Sequence, residues 1–477
     1  MSDPAHTADF FRQPLGEMID LGHPLAVLAS RLPWTQIEAV LAPCFARQAR
    51  EGRTIAQDDL FGPSEQVVGA GIAAAGRRRL PIRLMASLLY LKHAFKLSDE
   101  ELVERWAENV VWQYFSGMRF YEPRLPCDAT QIGRFRSAIG EAGVEELLKA
   151  TIDTAVAAKA IKPVEFERLI VDTTVQEKAV AHPVDSRLLE IARHQVVVAA
   201  KRAGIALKQT FVKEGKTLRR KAGGYAHAKQ FKRLRRVLKR QRTILGIVLR
   251  EVGRKIEQAG EASAVALNPL RTLIERAERI RSQRPKDKNK LYALHAPEVE
   301  CVAKGKARTP YEFGVKVSIA TTLKEGPVVG MRSMPGNPYG GHILAETLEQ
   351  VGILTGADKP PKTVIVDKGY QGVEVPGVRI LRSGQKRGIT KTLKAMIKRR
   401  SAVEPTIGHM KVDGRLARNP LKGALGDAIH AVMCGAGHNL RLILAALRLF
   451  CARLGVAVQE IIGLLADRLR FAGAVFA

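Results

Sequence analysis

Between Leu80 and about Ile161 the apolar residues recur at helical spacing. "LPIRLMASLLYLKHAF" reads as one helix. "SDEELVERW" opens the next, with Ser98 three positions before Glu101 in a capping-box pattern. "TQIGRFRSAIG" and "VEELLKATIDTAV" continue the same periodicity, so 80–163 is expected to be a helical domain. Its helix, "KLSDE" turn, helix arrangement could be a DNA-binding helix-turn-helix, but a plain helical hairpin is the expectation. Residues 1–79 carry a weaker pattern. "WTQIEAVLAPCFARQ" has helical spacing, and "GAGIAAAGRRR" reads as a flexible link.

The texture then changes. "ERLIVDTTVQ" is a strand pattern ending near Asp172. From about Ser186 to Arg281 the pattern is helical again, with an apolar stripe at Leu234, Val237, Leu238, Ile244, Leu245 and Val248. Strands return at "FGVKVSIATT" and "GPVVGMRSM". A helix follows at "HILAETLEQVGIL", then the strand "TVIVD" and the short strand "VRILR". A helix is expected from about Thr392 to Val412, and the Ala- and Leu-rich tail from Gly423 reads as packing helices. No internal repeat is visible.

Charge sharpens this picture. The chain has 77 Lys and Arg against 47 Asp and Glu, a net +30 over 477 residues. Such a surface attracts polyanions, nucleic acid first among them, although a membrane-surface protein or a ribosome-associated factor can also be this basic. Residues 201–254 alone hold 18 Lys and Arg against Glu214 and Glu251, a local net of +16. A helix this one-sided is either a solvated face or a phosphate-binding surface. Arg233, Arg235, Arg236, Lys239 and Arg240 are its candidate phosphate contacts. Five isolated cysteines with no CxxC pair argue against a zinc knuckle and fit a reducing compartment. The N-terminus lacks a signal-peptide pattern, and "LILAALRLF" is short and broken by Arg448. A cytoplasmic protein without a membrane anchor is expected.

Three carboxylates invite a chemical reading. Asp172 and Asp367 each follow an apolar strand, and Glu404 lies in "KAMIKRRSAVEPTIGHMK". Each has a plain alternative: a strand-end cap for the aspartates, and an i−4 pair with Arg400 for Glu404. Together they form an oxygen donor set of the kind that holds magnesium. Two such ions about 4 Å apart activate an attacking oxygen and stabilise a leaving one on the same phosphorus. Pro405, directly after Glu404, predicts a kink or break in that helix.

"VDTTV", "VDKGYQG" and "RRSAVEPTIGHMK" resemble the acidic triad of DDE transposases, and most closely the insertion-sequence-5 group of bacterial elements. That group carries Tyr-x2-Arg-x3-Glu-x6-Lys on its glutamate helix. Arg400, Glu404 and Lys411 match it with the spacing intact, while Ile397 stands where the tyrosine would be. "YALHAPEVECVAKGKARTPYEFGVKV", "PGNPYGGHILAETLEQ", "DGRLARNPLKGALGDAIHAVMCGAGHNL" and "LYLKHAFKLSDEELVERWAENVVWQYFSG" also look like this group, so the resemblance spans roughly 80–445.

The resemblance implies an α/β protein. Its parts would be an RNase H-like catalytic core, a helical N-terminal domain and a helical insertion between the first two core strands. Asp172 would sit on the first core strand and Asp367 after the fourth. The implied organisation is an N-terminal arm (1–79), the helical domain (80–163), the first part of the core (164–185), the basic insertion (186–290), the rest of the core (291–445) and C-terminal helices (446–477). It further implies a transposase that uses Mg2+, with Mn2+ as substitute. It would cleave element ends in double-stranded DNA and join the freed 3′-hydroxyl to target DNA, as a homodimer or higher oligomer in the bacterial nucleoid. Arg400 and Lys411 would contact phosphates near the metals. A nuclease of the same fold without strand transfer, and a decayed DNA-binding relative, are the rival readings.

Other motifs read more plainly. His295 and His342 belong to no HExxH-type pair and are expected to be structural. "GVEVPG" and "GNPYGG" are turns, and no Walker pattern is present. In "HAPEVECVAKGKAR", Glu298 and Glu300 with Lys304, Lys306 and Arg308 form either a salt-bridged loop or a loop lying on DNA, and the DNA contact is the expectation taken here.

Overall fold

The computed structural model describes residues 12–46, 53–59, 62–68, 79–258, 264–303, 310–324 and 326–475. Three short helices open the chain: α1 (Leu15–Met18), α2 (Pro24–Arg31) and α3 (Trp34–Leu41). A hairpin of β1 (Arg53–Asp59) and β2 (Gly62–Val68) follows. Then come α4 (Ile82–Phe95), α5 (Asp99–Glu108), α6 (Val110–Phe115) and α7 (Ala129–Ala157). Every residue of α4 from Leu84 to Ala94 is buried, because its apolar residues run round the whole helix. Lys96 ends it in a left-handed conformation, and the Ser98–Glu101 capping box is formed in both directions at 3.1 and 2.9 Å.

The central strand is β3 (Arg168–Glu177). After it the chain leaves the sheet for four helices: α8 (Asp185–Arg202), α9 (Val212–His227), α10 (Phe231–Gln258) and α11 (Ala264–Ser282). These helices have a core of their own, in which Leu188, Ala192 and Val196 meet Leu245, Val248, Val252, Leu270 and Ile280. Of the expected stripe on α10, Val237, Ile244, Leu245 and Val248 are buried, and Leu234 and Leu238 half-buried.

The sheet resumes with β4 (Glu300–Ala303), β5 (Tyr311–Thr322) and β6 (Val328–Met334). Next come α12 (Leu344–Thr355), β7 (Thr363–Val366) and β8 (Arg379–Arg382). Strand β3 pairs antiparallel with β5 on one side and parallel with β7 on the other, and β7 runs parallel to β8. The far edge of β5 carries β4 at one end and β6 at the other, both antiparallel. The order across the sheet is therefore β6 and β4, then β5, β3, β7 and β8. Gly314 makes the central pairing possible: a Cβ there would lie 1.9 Å from the Gln176 carbonyl oxygen on β3.

The last elements are α13 (Lys391–Arg399), a 3-10 turn at Arg400–Ala402, α14 (Val403–Val412) and α15 (Gly423–Val475). The two faces of the sheet have different partners. Leu169, Val171, Val364 and Val366 join the main core with α2–α7, α12 and α15. Ile170 and Ile365 point the other way, against Leu393, Ile397, Val403 and Ile407 of α13 and α14. The N-terminal helices, one sheet face and α15 thus share one hydrophobic core. No helix among the described residues is long and apolar enough to cross a membrane.

Candidate active site

The register of the sheet brings the two aspartates together. Ile170 on β3 is level with Ile365 on β7 in a parallel pair. Side chains alternate along a strand, so two residues further on Asp172 and Asp367 emerge side by side on the same face as those isoleucines. That face is the one covered by α13 and α14, which deliver Glu404.

A helix with a kink or break at Pro405 was expected over about 392–412; the structure has two helices, separated by the 3-10 turn. The cause is Pro405. In an unbroken helix its ring would press on the carbonyl of Ser401, and its missing N–H would leave a bond unmade. With α14 beginning at Val403, Pro405 falls in the first turn, where the N–H has no helical partner to lose. The break puts Arg400 at the corner, facing back over the sheet.

Arg400 gathers the acids. One amino nitrogen donates to Asp172 Oδ2 at 2.8 Å. The other stands 3.6 Å from Asp367 Oδ1 and 3.7 Å from Glu404 Oε1. Asp172 and Arg400 are largely buried, at 13% and 16% side-chain exposure, whereas Asp367 is 46% and Glu404 66% exposed. Burial raises the Asp172 carboxyl above the usual aspartate range. Arg400 and the Thr173 amide pull it back, and Asp367 pushes it up again. Three carboxylates around one monovalent cation leave negative charge uncompensated in a cleft open to solvent on the Asp367 and Glu404 side. An all-carboxylate set of this kind fits a hard divalent cation that keeps several waters.

The loop after Asp367 is braced from beneath. Arg382 donates to the carbonyl oxygens of Tyr370 and Val373, both at 2.9 Å. Tyr370 is 3% exposed and packs against Gly340, where a Cβ would come within 3.2 Å of the ring. Burial, with Asp172 and Asp367 close by, raises its phenol well above the ordinary value.

Other candidates lie elsewhere. Lys411 sits two turns beyond Glu404, and its Nζ is 3.6 Å from Glu312 Oε2 on β5. On α10, Arg233, Arg235, Arg236 and Lys239 are exposed; Arg240 is exposed too and pairs with Glu214 of α9 at 2.7 Å. Between α8 and α9 lies a cleft of about 580 Å³ bordered by His194, Lys216, Arg219 and Arg220. Lys304, Lys306 and Arg308 lie outside the described residues. Their acidic neighbours are structural: Glu298 pairs with Lys178 at 2.8 Å and accepts the Gly423 amide at 2.7 Å, and Glu300 accepts the Gly336 amide. The link from Arg400 to both aspartates was not visible in the sequence, where only its i−4 relation to Glu404 could be read.

Residues 58–138 match a family model described as "Transposase domain (DUF772)". That stretch contains α4, α5 and α6 and opens α7. A protein of Rhizobium meliloti, named as uncharacterized protein ORF8 in the nfe locus, is 40% identical over 223 residues, which are 47% of this chain and 95% of that protein. No solved structure matches.

Proposed function

We propose that the chain is a DDE-type DNA transposase of the insertion-sequence-5 group, with an RNase H-like core; the match of residues 58–138 to a transposase-domain model supports this reading. The observation that carries this reading is the placement of Asp172 and Asp367 in register on adjacent parallel strands, with the Glu404 helix packed on the same face. The strand order, with three antiparallel strands continued by two parallel ones, supports the RNase H-like assignment.

Asp172, Asp367 and Glu404 would hold magnesium, which when bound supplies activation of the attacking oxygen and stabilisation of the leaving one. The protein's own residues do the rest. Asp172 is fixed by the Thr173 amide at 2.8 Å, so its orientation is set before substrate arrives. Arg400, five-donor and always charged, is placed to transfer from the carboxylates to a non-bridging phosphate oxygen as DNA enters. Its Nε is buried with no hydrogen-bond partner, which leaves it a donor to give. The exposed cations of α10 and the basic border of the α8–α9 cleft bind backbone phosphates without reading sequence. The reaction is cleavage at the element end to free a 3′-hydroxyl, followed by in-line attack of that hydroxyl on target DNA. Two ends must be cut together, so the working form is an oligomer.

The decisive experiment incubates purified protein with Mn2+, a pre-cleaved element end and a target duplex. Joined strands support the reading. Hydrolysis without joining would identify a nuclease. Binding with neither would leave a DNA-binding protein.

A further inference from the structure

Far along the chain from the acidic triad, three metal-ligating side chains meet in the core. His93 lies in the last turn of α4, and His430 and Cys434 lie one turn apart on α15; all three are buried. One ligand atom from each falls within 4.8 Å of the others. His93 Nδ1 and Cys434 Sγ are 3.9 Å apart. Zinc bonded to both in a tetrahedron would set them about 3.6 Å apart, from Zn–N near 2.0 Å and Zn–S near 2.3 Å. The two atoms stand a few tenths of an ångström from that spacing.

Two further features belong to a built site. The other nitrogen of His430 is within 3.1 Å of the Arg415 carbonyl oxygen. A neutral ring donating there keeps its Nδ1 lone pair free and holds the ring still, as metal-bound histidines are held by carbonyl or carboxylate partners. Glycine also brings the elements into range. A Cβ on Gly437 would lie 2.6 Å from the His93 carbonyl oxygen, so only a bare backbone lets α15 approach the end of α4 this closely. Arg441 fastens the same junction, donating to that oxygen at 2.7 Å.

We propose that His93, His430 and Cys434 supply the three protein ligands of a zinc site that ties α4, α15 and the loop after α14 into one unit. The loop takes part through Arg415, whose carbonyl oxygen lies 3.1 Å from His430 Nε2. It directly follows the helix that bears Glu404, so the metal would hold that helix's far end. The surroundings select the metal. Lys92 and Arg136 are near and share Asp99 as a counter-charge, and Arg441 is near with Asp413 beside it. A hard dication gains little there, whereas a thiolate-bonding ion such as zinc gains from soft donation. Zinc capture would form a Zn–S bond, break the S–H bond and release the proton to solvent.

The test uses the full chain loaded with Co2+ in place of zinc, together with metal analysis of the protein as purified. About one zinc per chain is expected, and a thiolate-to-cobalt charge-transfer band in the reloaded protein. The band should persist in an Asp172→Asn/Asp367→Asn/Glu404→Gln variant, which separates this site from the triad, and vanish in Cys434→Ser. If Cys434→Ser does not fold, His430→Gln is read by the same band, and unchanged shape and affinity would overturn the proposal. So would a folded wild type with neither zinc nor band, or a band that survives Cys434→Ser.

Discussion

The guanidinium of Arg400 and the carboxylate of Asp172 meet at 2.8 Å across 228 positions of chain. The same guanidinium lies within 4 Å of Asp367 and Glu404. One monovalent side chain therefore stands where the acids concentrate their negative charge, and any divalent cation must share that space with it.

Replacing Arg400 should separate its two effects. Arg400→Gln removes a positive charge that competes with metal, so Mn2+ affinity without DNA should rise by about tenfold, or ~1.4 kcal/mol. Cleavage should fall all the same, because a phosphate ligand is lost. Mn2+ titration by electron paramagnetic resonance reads the first effect. Weaker metal binding in the variant would mean that Arg400 assembles the acids rather than competing for them.

The acids themselves should be needed for chemistry and dispensable for binding. Asp172→Ala, Asp367→Ala and Glu404→Ala should each slow cleavage by on the order of 10³-fold, since several kcal/mol of transition-state stabilisation go with the metals. Affinity for duplex DNA should stay within about threefold, because it rests on distributed cations. Near-normal cutting by any one variant would remove that residue from the site.

Tyr370 offers a test against covalent chemistry. Its phenol is buried and held protonated, which suits packing beneath the loop after Asp367 and not attack on phosphorus. Tyr370→Phe should keep cleavage within a few-fold, and EDTA should stop it. A protein–DNA adduct formed without metal and surviving denaturation would overturn the metal mechanism.

The basic helix α10 makes a prediction about salt. Changing Arg233, Arg235, Arg236, Lys239 and Arg240 to Gln should weaken specific and random duplexes about equally. Each lost phosphate contact should lower the slope of log affinity against log salt by roughly 0.9. Arg240 should contribute least, since Glu214 already engages it. The buried stripe is untouched, so circular dichroism should not change. An unchanged slope with a lost oligomer would make these helices a protomer contact instead.

Asp99 links pH to stability. Burial alone would raise its carboxyl, but Lys92 and Arg136 at 2.5 and 3.1 Å together hold it below the usual aspartate value. A depressed folded-state pKa contributes stability above the unfolded value near 3.8, and loses it as pH falls through the folded one. Asp99→Asn should therefore cost about 3–5 kcal/mol at pH 7, where it strands two buried cations. The gap to wild type in thermal melts should close below pH 3.8. A gap independent of pH would point to lost helix capping rather than lost charge.

How much of this was legible in the sequence depends on the range of the forces involved. Asp367 could be placed because an apolar run that stops at a carboxylate shows locally as a strand end. Asp172, read the same way, lies instead in the middle of β3, because pairing with β5 carries that strand on to Glu177. Pro405 announced the break after Arg399 because its ring acts on its own helix. The bond from Arg400 to Asp172 could not be read, since it depends on how α13 and α14 settle on the sheet. Nor could the burial of Tyr370, which follows from the approach of the Gly340 loop. The role of Ile397, which stands where the insertion-sequence-5 group has a tyrosine, could not be read either. It packs in the small core with Ile170 and Ile365, and so helps to seat the helices that carry Arg400 and Glu404.

The core shared by α4–α7, the sheet and α15 bears on how such a protein can change over time. A recognition module on a linker can be exchanged for another without disturbing the catalytic machinery. Here Leu88, Leu147, Val171, Val364 and Val432 are buried in one mass, so cutting near residue 163 would strip apolar surface from both halves rather than release two workable parts. New preferences for element ends would have to arise by substitutions on the outer surfaces of these helices. Whatever the N-terminal helices recognise and whatever the sheet catalyses would be inherited as a single piece.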